Sequence, residues 1–96
     1  METFSGLDWD DGNRAKCQKH GVSVEEIEAM FAGEPRYSPD VGHSIIEQRY
    51  LATGRTGEDR ALLVVFTVRD HDGGRYVRPI SARYMHAKEA AHYGHA

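Results

Sequence analysis

One stretch constrains this chain more than any other. Leu62-Leu63-Val64-Val65-Phe66 is an unbroken apolar run, and Asp72-Gly73-Gly74 follows it closely. A short continuous apolar run suits a central strand covered on both faces. Asp-Gly-Gly is a strong tight-hairpin signal. The sequence therefore predicts a strand over 61–69 and a second over 75–82, antiparallel to each other. Pro79 lies inside the second strand and has no N–H for the ladder, which predicts an edge or a bulge there. A third strand is expected over 45–53, with Gly54 and Gly57 in the turn after it.

The N-terminal part reads differently. Leu7 to Trp9 can open a short edge strand. Asp10 and Asp11 stand where a helix start wants acids, ahead of a helix over 13–19 that stops at Gly21. Ser23 and Glu26 have capping-box spacing. Val24, Ile27, Met30 and Phe31 then form one apolar helical stripe, which Gly33 and Pro35 end. Residues 34–42 read as loop. Ala87, Ala90 and Ala91 mark a short C-terminal helix over 87–93. The order β-α-α-β-β-β-α defines an α+β fold, a small antiparallel sheet with two N-terminal helices and one C-terminal helix packed against it.

Composition narrows the function. Residues 1–96 make one domain, with 40% hydrophobic and 28% charged residues, which excludes disorder. No apolar run has the length of a membrane span. Met1 to Asp11 is acidic and does not read as a signal peptide. The single cysteine, Cys17, excludes an internal disulfide and a cysteine-rich zinc site, and fits a reducing cytoplasm. The net charge of −3 argues against nucleic acid, but it is unevenly divided. Residues 1–40 hold 9 acids and 4 bases, giving −5, whereas residues 41–96 hold 6 acids and 8 bases, giving +2. Seven of those 8 bases are arginines, the residue suited to gripping phosphates and carboxylates.

No P-loop, dinucleotide fingerprint, H-E-x-x-H motif or nucleophile elbow is present. His71, His86, His92 and His95 do not form a zinc set, and the last two fall at a fraying terminus; neither metal nor cofactor is expected. The dense stretch is Arg69 to Lys88, with Arg69, Arg75, Arg78, Arg83, His86 and Lys88 against Asp70 and Asp72. If strand ends gather Arg69 and Arg83 at one rim, a cationic cluster with a histidine beside it results. RNA cleavage by the 2′-OH needs such a set: a base, an acid and cations for the phosphorane. The competing reading pairs these arginines with the acids of the first half.

Asp40, His43, Ser44, Glu47 and Arg49 read as a loop anchor, with Glu47 and Arg49 on one strand face. Lys19 and His20 read as a helix C-terminus. Trp9 reads as a core anchor, with base stacking as the sharper alternative.

These segments resemble the BrnT toxin family. The resemblance rests on Asp8-Trp9-Asp10, Lys19-His20-Gly21-Val22-Ser23, His43-Ser44 with Glu47 and Arg49, Val64 to Arg69, and Ile80-Ser81-Ala82-Arg83, and spans about Phe4 to Tyr93. It implies a RelE-like α+β fold and a type II toxin that cleaves RNA and stops translation. It also implies a partner, a BrnA-like antitoxin whose ribbon-helix-helix domain binds operator DNA. By motif position, Arg69 and Arg83 are the candidates for phosphate contact and transition-state stabilisation, and Arg78 is a further RNA contact. Beyond the motif, His86 is cast as general acid or base and Lys88 as a phosphate contact. Pro79 stands where the family has an aliphatic residue.

The alternative of a different class is a non-catalytic interaction module. It would only bind an antitoxin-like DNA-binding partner and act as its co-repressor. RNA cleavage separates the two.

Overall fold

Asp10 opens the first helix by reciprocal capping. Its carboxylate accepts from the Asn13 N–H at 3.0 Å, and Asn13 Oδ1 accepts from the Asp10 N–H at 2.7 Å. The computed structural model describes residues 4–40 and 47–95. Helix α1 spans Asp11–Cys17, and Cys17 is fully buried at its end. Gly21 takes a φ of +89°, the left-handed turn that separates it from the next helix. Helix α2, Val24–Ala32, begins on the Ser23–Glu26 capping box that the spacing predicts, and Gly33 caps its end. Val24, Ile27 and Met30 are buried along its inner face.

Strand β1 is Gly6–Leu7, β2 is Arg36–Pro39, β3 is Tyr50–Arg55, β4 is Ala61–His71 and β5 is Gly74–Tyr84; helix α3 is Ala87–His92. The sheet order is β1-β5-β4-β3-β2, so the apolar run sits on the central strand. All pairings are antiparallel except β1 with β5. Asp72 and Gly73, at φ 51° and 75°, make the two-residue hairpin turn between β4 and β5.

Two expectations change. Residues 36–39, read as loop, form edge strand β2, because β3 offers a free ladder and Tyr37 finds an aromatic niche on the core face. Strand β3 begins at Tyr50 and runs through Gly54 to Arg55. Gly54 belongs to the strand because Met30 crosses it: a methyl there would stand 2.7 Å from Met30 Cγ. The first residues of the expected strand, Ile45 and Ile46, lie outside the described residues, as do His43 and Ser44.

Pro79 makes a bulge, not an edge. Val65 pairs with Ser81 and Phe66 with Pro79, which leaves Ile80 as the extra residue. The buried Pro79 carbonyl accepts from Asn13 Nδ2 at 2.9 Å.

The sheet has two unlike faces. One packs on α1 and α2 through Leu62, Val64, Phe66, Val77, Ile27, Met30 and Cys17. Phe66 is its aromatic centre, ringed by Phe4, Phe31, Tyr37 and Tyr50 at 5.5–6.1 Å. Burying such a ring contributes about 1.5–3 kcal/mol. Among the described residues, the helix that covers the opposite face lies at one end, where α3 brings Ala90 onto Ala61, Leu63 and Met85. This half-open face carries the candidate site.

Candidate functional site

Strand parity places the arginines. Ala61, Leu63, Val65, Thr67 and Arg69 alternate onto the half-open face of β4. Across the ladder this face reads in rows. Arg36, Thr53, Leu63 and Arg83 form one row, and Ser38, Leu51, Val65 and Ser81 the next. Thr67 stands beside Arg78, and Arg69 beside Tyr76. Arg78 and Arg83 are five residues apart, an odd interval that would send them to opposite faces of a regular strand. The bulge at Pro79 restores them to one face.

The middle row consists of the half-buried serines with Leu51 and Val65. Arg83 and α3 stand along one side, and Arg69 and Arg78 along the other. The expectation of a single rim is therefore corrected. The β4 partner of Arg83 is Leu63, six residues from Arg69. At about 3.4 Å per residue, the two arginines are roughly 20 Å apart along the strands, at opposite ends of one face. Each meets its own carboxylate there.

Each of these arginines meets a carboxylate. Arg83 donates from Nη1 and Nη2 to both Glu89 oxygens at 2.7 and 2.6 Å, a bidentate fork. Arg69 pairs with Glu47 and also donates to Thr67 Oγ1 at 3.2 Å. Glu47 precedes β3, so it does not lie on a strand face as expected. Arg78 pairs with Asp10 at 2.8 Å, which ties the bulged strand to the cap of α1. Beside Arg69 and Arg78, His71 stacks on Tyr76 at 4.1 Å with Asp8 and Asp72 near its nitrogens.

His86 is the N-cap of α3, its Nδ1 facing the Glu89 N–H at 3.4 Å. It is exposed three residues beyond Arg83, with Nε2 left for other partners. Lys88 is exposed on the first turn of the same helix. Trp9 packs against the helix-side core and donates to Glu28 Oε2 at 3.3 Å, as an anchor would.

Two participants were not read from the sequence. Glu89 had a signal, an acid six residues past Arg83 in the first turn of a helix. His95 had none, because its place depends on chain reversal. Gly94, at φ +83°, donates to the Ala91 carbonyl, and the His95 N–H donates to the Ala90 carbonyl at 2.8 Å. This pair of bonds is a Schellman motif. It fixes the segment expected to fray and sets His95 Nε2 2.9 Å from Thr53 Oγ1.

The electrostatics follow. The Arg83 fork holds the Glu89 carboxyl below the usual carboxylate range, so it is ionised at neutral pH. Partial burial, then Arg36 and Arg55, push His95 below its ordinary value of 6.5. The unfolded chain thus binds this proton first as pH falls. The His95 contribution to stability is present above 6.5 and is lost as pH drops through the folded value. Denaturant melts at pH 7.5 and 5.5 should show wild type losing stability, with a smaller loss in His95→Gln.

A sheet with two helices on one face, and arginines beside a short third helix on the other, is a compact α+β architecture with the charge to meet a polyanion. Family comparison is specific about which one. Residues 9–89 match the family model of the ribonuclease toxin BrnT of type II toxin–antitoxin systems, and the chain belongs to that family. It is a ribonuclease toxin whose family pairs with an antitoxin and acts on RNA. No curated protein matches the chain. Among the described residues, no helix is long and apolar enough to cross a membrane.

Proposed function

We propose that the half-open face is where RNA is cut, by attack of a 2′-OH on the adjacent phosphate without a metal ion. The observation that carries this is the bulge at Pro79, which puts Arg78, Arg83 and Arg69 on one face. Arg83 stabilises the phosphorane with its planar fork, exchanging Glu89 for the phosphate. His86 moves a proton as general acid or base, and Lys88 contacts phosphate from the same helix. Arg69 and Arg78, toward the other end of the face, hold neighbouring phosphates of the strand. Given the register, Arg69 acts in binding and not at the scissile group.

The partner in this reading is a BrnA-like ribbon-helix-helix antitoxin, through which operator DNA is reached. The protein acts in the cytoplasm, with no membrane and no cofactor. Purified protein incubated with end-labelled RNA in excess chelator, with and without translating ribosomes, is expected to leave 2′,3′-cyclic phosphate ends. A 2′-O-methyl group at the cleaved position should block the cut. Intact RNA in every lane from folded protein would favour the non-catalytic module.

A further inference from the structure

We infer that Arg36, Arg55 and His95 form a second phosphate pocket on the same face, one that holds a phosphate of the RNA away from the cut. The inference rests on the reading of this face as the RNA surface. Arg36 begins β2, Arg55 ends β3, and the Schellman turn after α3 delivers His95 between them.

The contacts are specific. Gly94 packs so closely on Arg36 that a methyl there would stand 3.2 Å from its Cζ and Nε. Arg55 Nη2 donates to the His95 carbonyl, and its Nη1 to the Asp59 carbonyl at 2.9 Å. Arg55 Nε also stands 3.7 Å from the carboxylate of exposed Asp59. His95 shares Nε2 with Thr53 Oγ1, which leaves Nδ1 for a ligand. Thr53 is 2% exposed, so the ring stands on a rigid strand.

Charge separates this cluster from the rest of the face. Arg69, Arg78 and Arg83 each hold a carboxylate at hydrogen-bond range. Among the described residues, the charged groups that act on His95 are two guanidinium ions. Donors from three elements, two of them permanently cationic, match the oxygens of a phosphate. Arg36 shares a ladder row with Arg83 three strand spacings away, about 14 Å, so the pocket takes a different phosphate from the one Arg83 meets. The phosphate could belong to the RNA backbone or to a strand end, and these are separable.

The test uses the intact chain and a 2′-O-methyl oligoribonucleotide about ten residues long, which binds but lacks the attacking hydroxyl. Histidine ring signals are followed by NMR, with His95→Gln to assign His95. Three probes are compared: the oligomer with hydroxyl ends, the same oligomer with a 3′-phosphate, and inorganic phosphate. The hydroxyl-ended oligomer is expected to move the His95 signals. Arg36→Ala and His95→Gln should each weaken its binding roughly 5–10-fold, with the loss appearing as a raised KM for cleavable RNA. Gly94→Ala, strained at its φ and crowding Arg36, should weaken binding similarly while leaving a cooperative melt. Movement only with the 3′-phosphate or inorganic phosphate would keep a phosphate pocket but overturn its place on the backbone. Undiminished binding by Arg36→Ala, with unmoved His95 signals, would overturn the pocket and leave the RNA face standing. Failure of folded wild type to bind the oligomer would overturn both.

Discussion

Arg83→Ala is expected to lower the rate of RNA cleavage by about 100–1,000-fold, the usual cost of removing one well-placed donor to developing transition-state charge. The effect should appear in kcat. Stability should change little, since Arg83 is 47% exposed and water screens the pair from that side. Arg83→Lys should recover part of the rate, because it keeps the charge and loses the fork. Arg69→Ala is the control that the register supplies. Standing roughly 20 Å from Arg83 along the strands, it should raise KM by about tenfold or less and spare kcat. Single-turnover cleavage of a defined RNA, beside a denaturant melt of each variant, makes the comparison. A folded Arg83→Ala protein that cleaves at the wild-type rate would remove Arg83 from the site. Equal kcat losses in Arg69→Ala and Arg83→Ala would contradict the separation that the ladder imposes.

The contrast between these two arginines shows where sequence reading stops. The apolar run, the Asp72-Gly73 turn and the Ser23–Glu26 capping box are local signals, and the fold uses each as the residues predict. Strand β2 was hidden because Arg36-Tyr37-Ser38-Pro39 has little apolar pattern of its own and pairs only once β3 is present. The site was legible in residue type and illegible in arrangement. Arg69 and Arg83 each lie near a strand end, but β4 and β5 run antiparallel, so those ends point opposite ways. Pro79 predicted a bulge, yet only the register shows its consequence, that Arg78 joins the face of Arg83. His95 lies where a terminus normally frays, and the partner of its ring, Thr53, is 42 residues earlier.

That bulge depends on a buried polar side chain, and removing it should give the largest stability effect. Asn13 is 4% exposed. Its Oδ1 accepts from the Asp10 N–H, and its Nδ2 donates to the carbonyls of Asp8 and Pro79, both at 2.9 Å. One amide thus joins the cap of α1, the end of β1 and the bulge of β5. Asn13→Ala would leave the buried Pro79 carbonyl without this donor, remove one of the two capping bonds and open a small void. We expect a loss of about 2–4 kcal/mol, a large share of the stability of a 96-residue domain. Asn13→Asp is the sharper variant. It keeps the acceptor toward Asp10 but sets a second oxygen against two carbonyls, and should cost at least as much despite being isosteric. The midpoints of urea melts measure both. At concentrations where the variants remain folded, cleavage should also fall, because a bulge freed from α1 no longer fixes Arg78 and Arg83 on one face. A loss below about 1 kcal/mol in Asn13→Ala would mean that Pro79 holds the bulge alone, through the ladder donor it lacks.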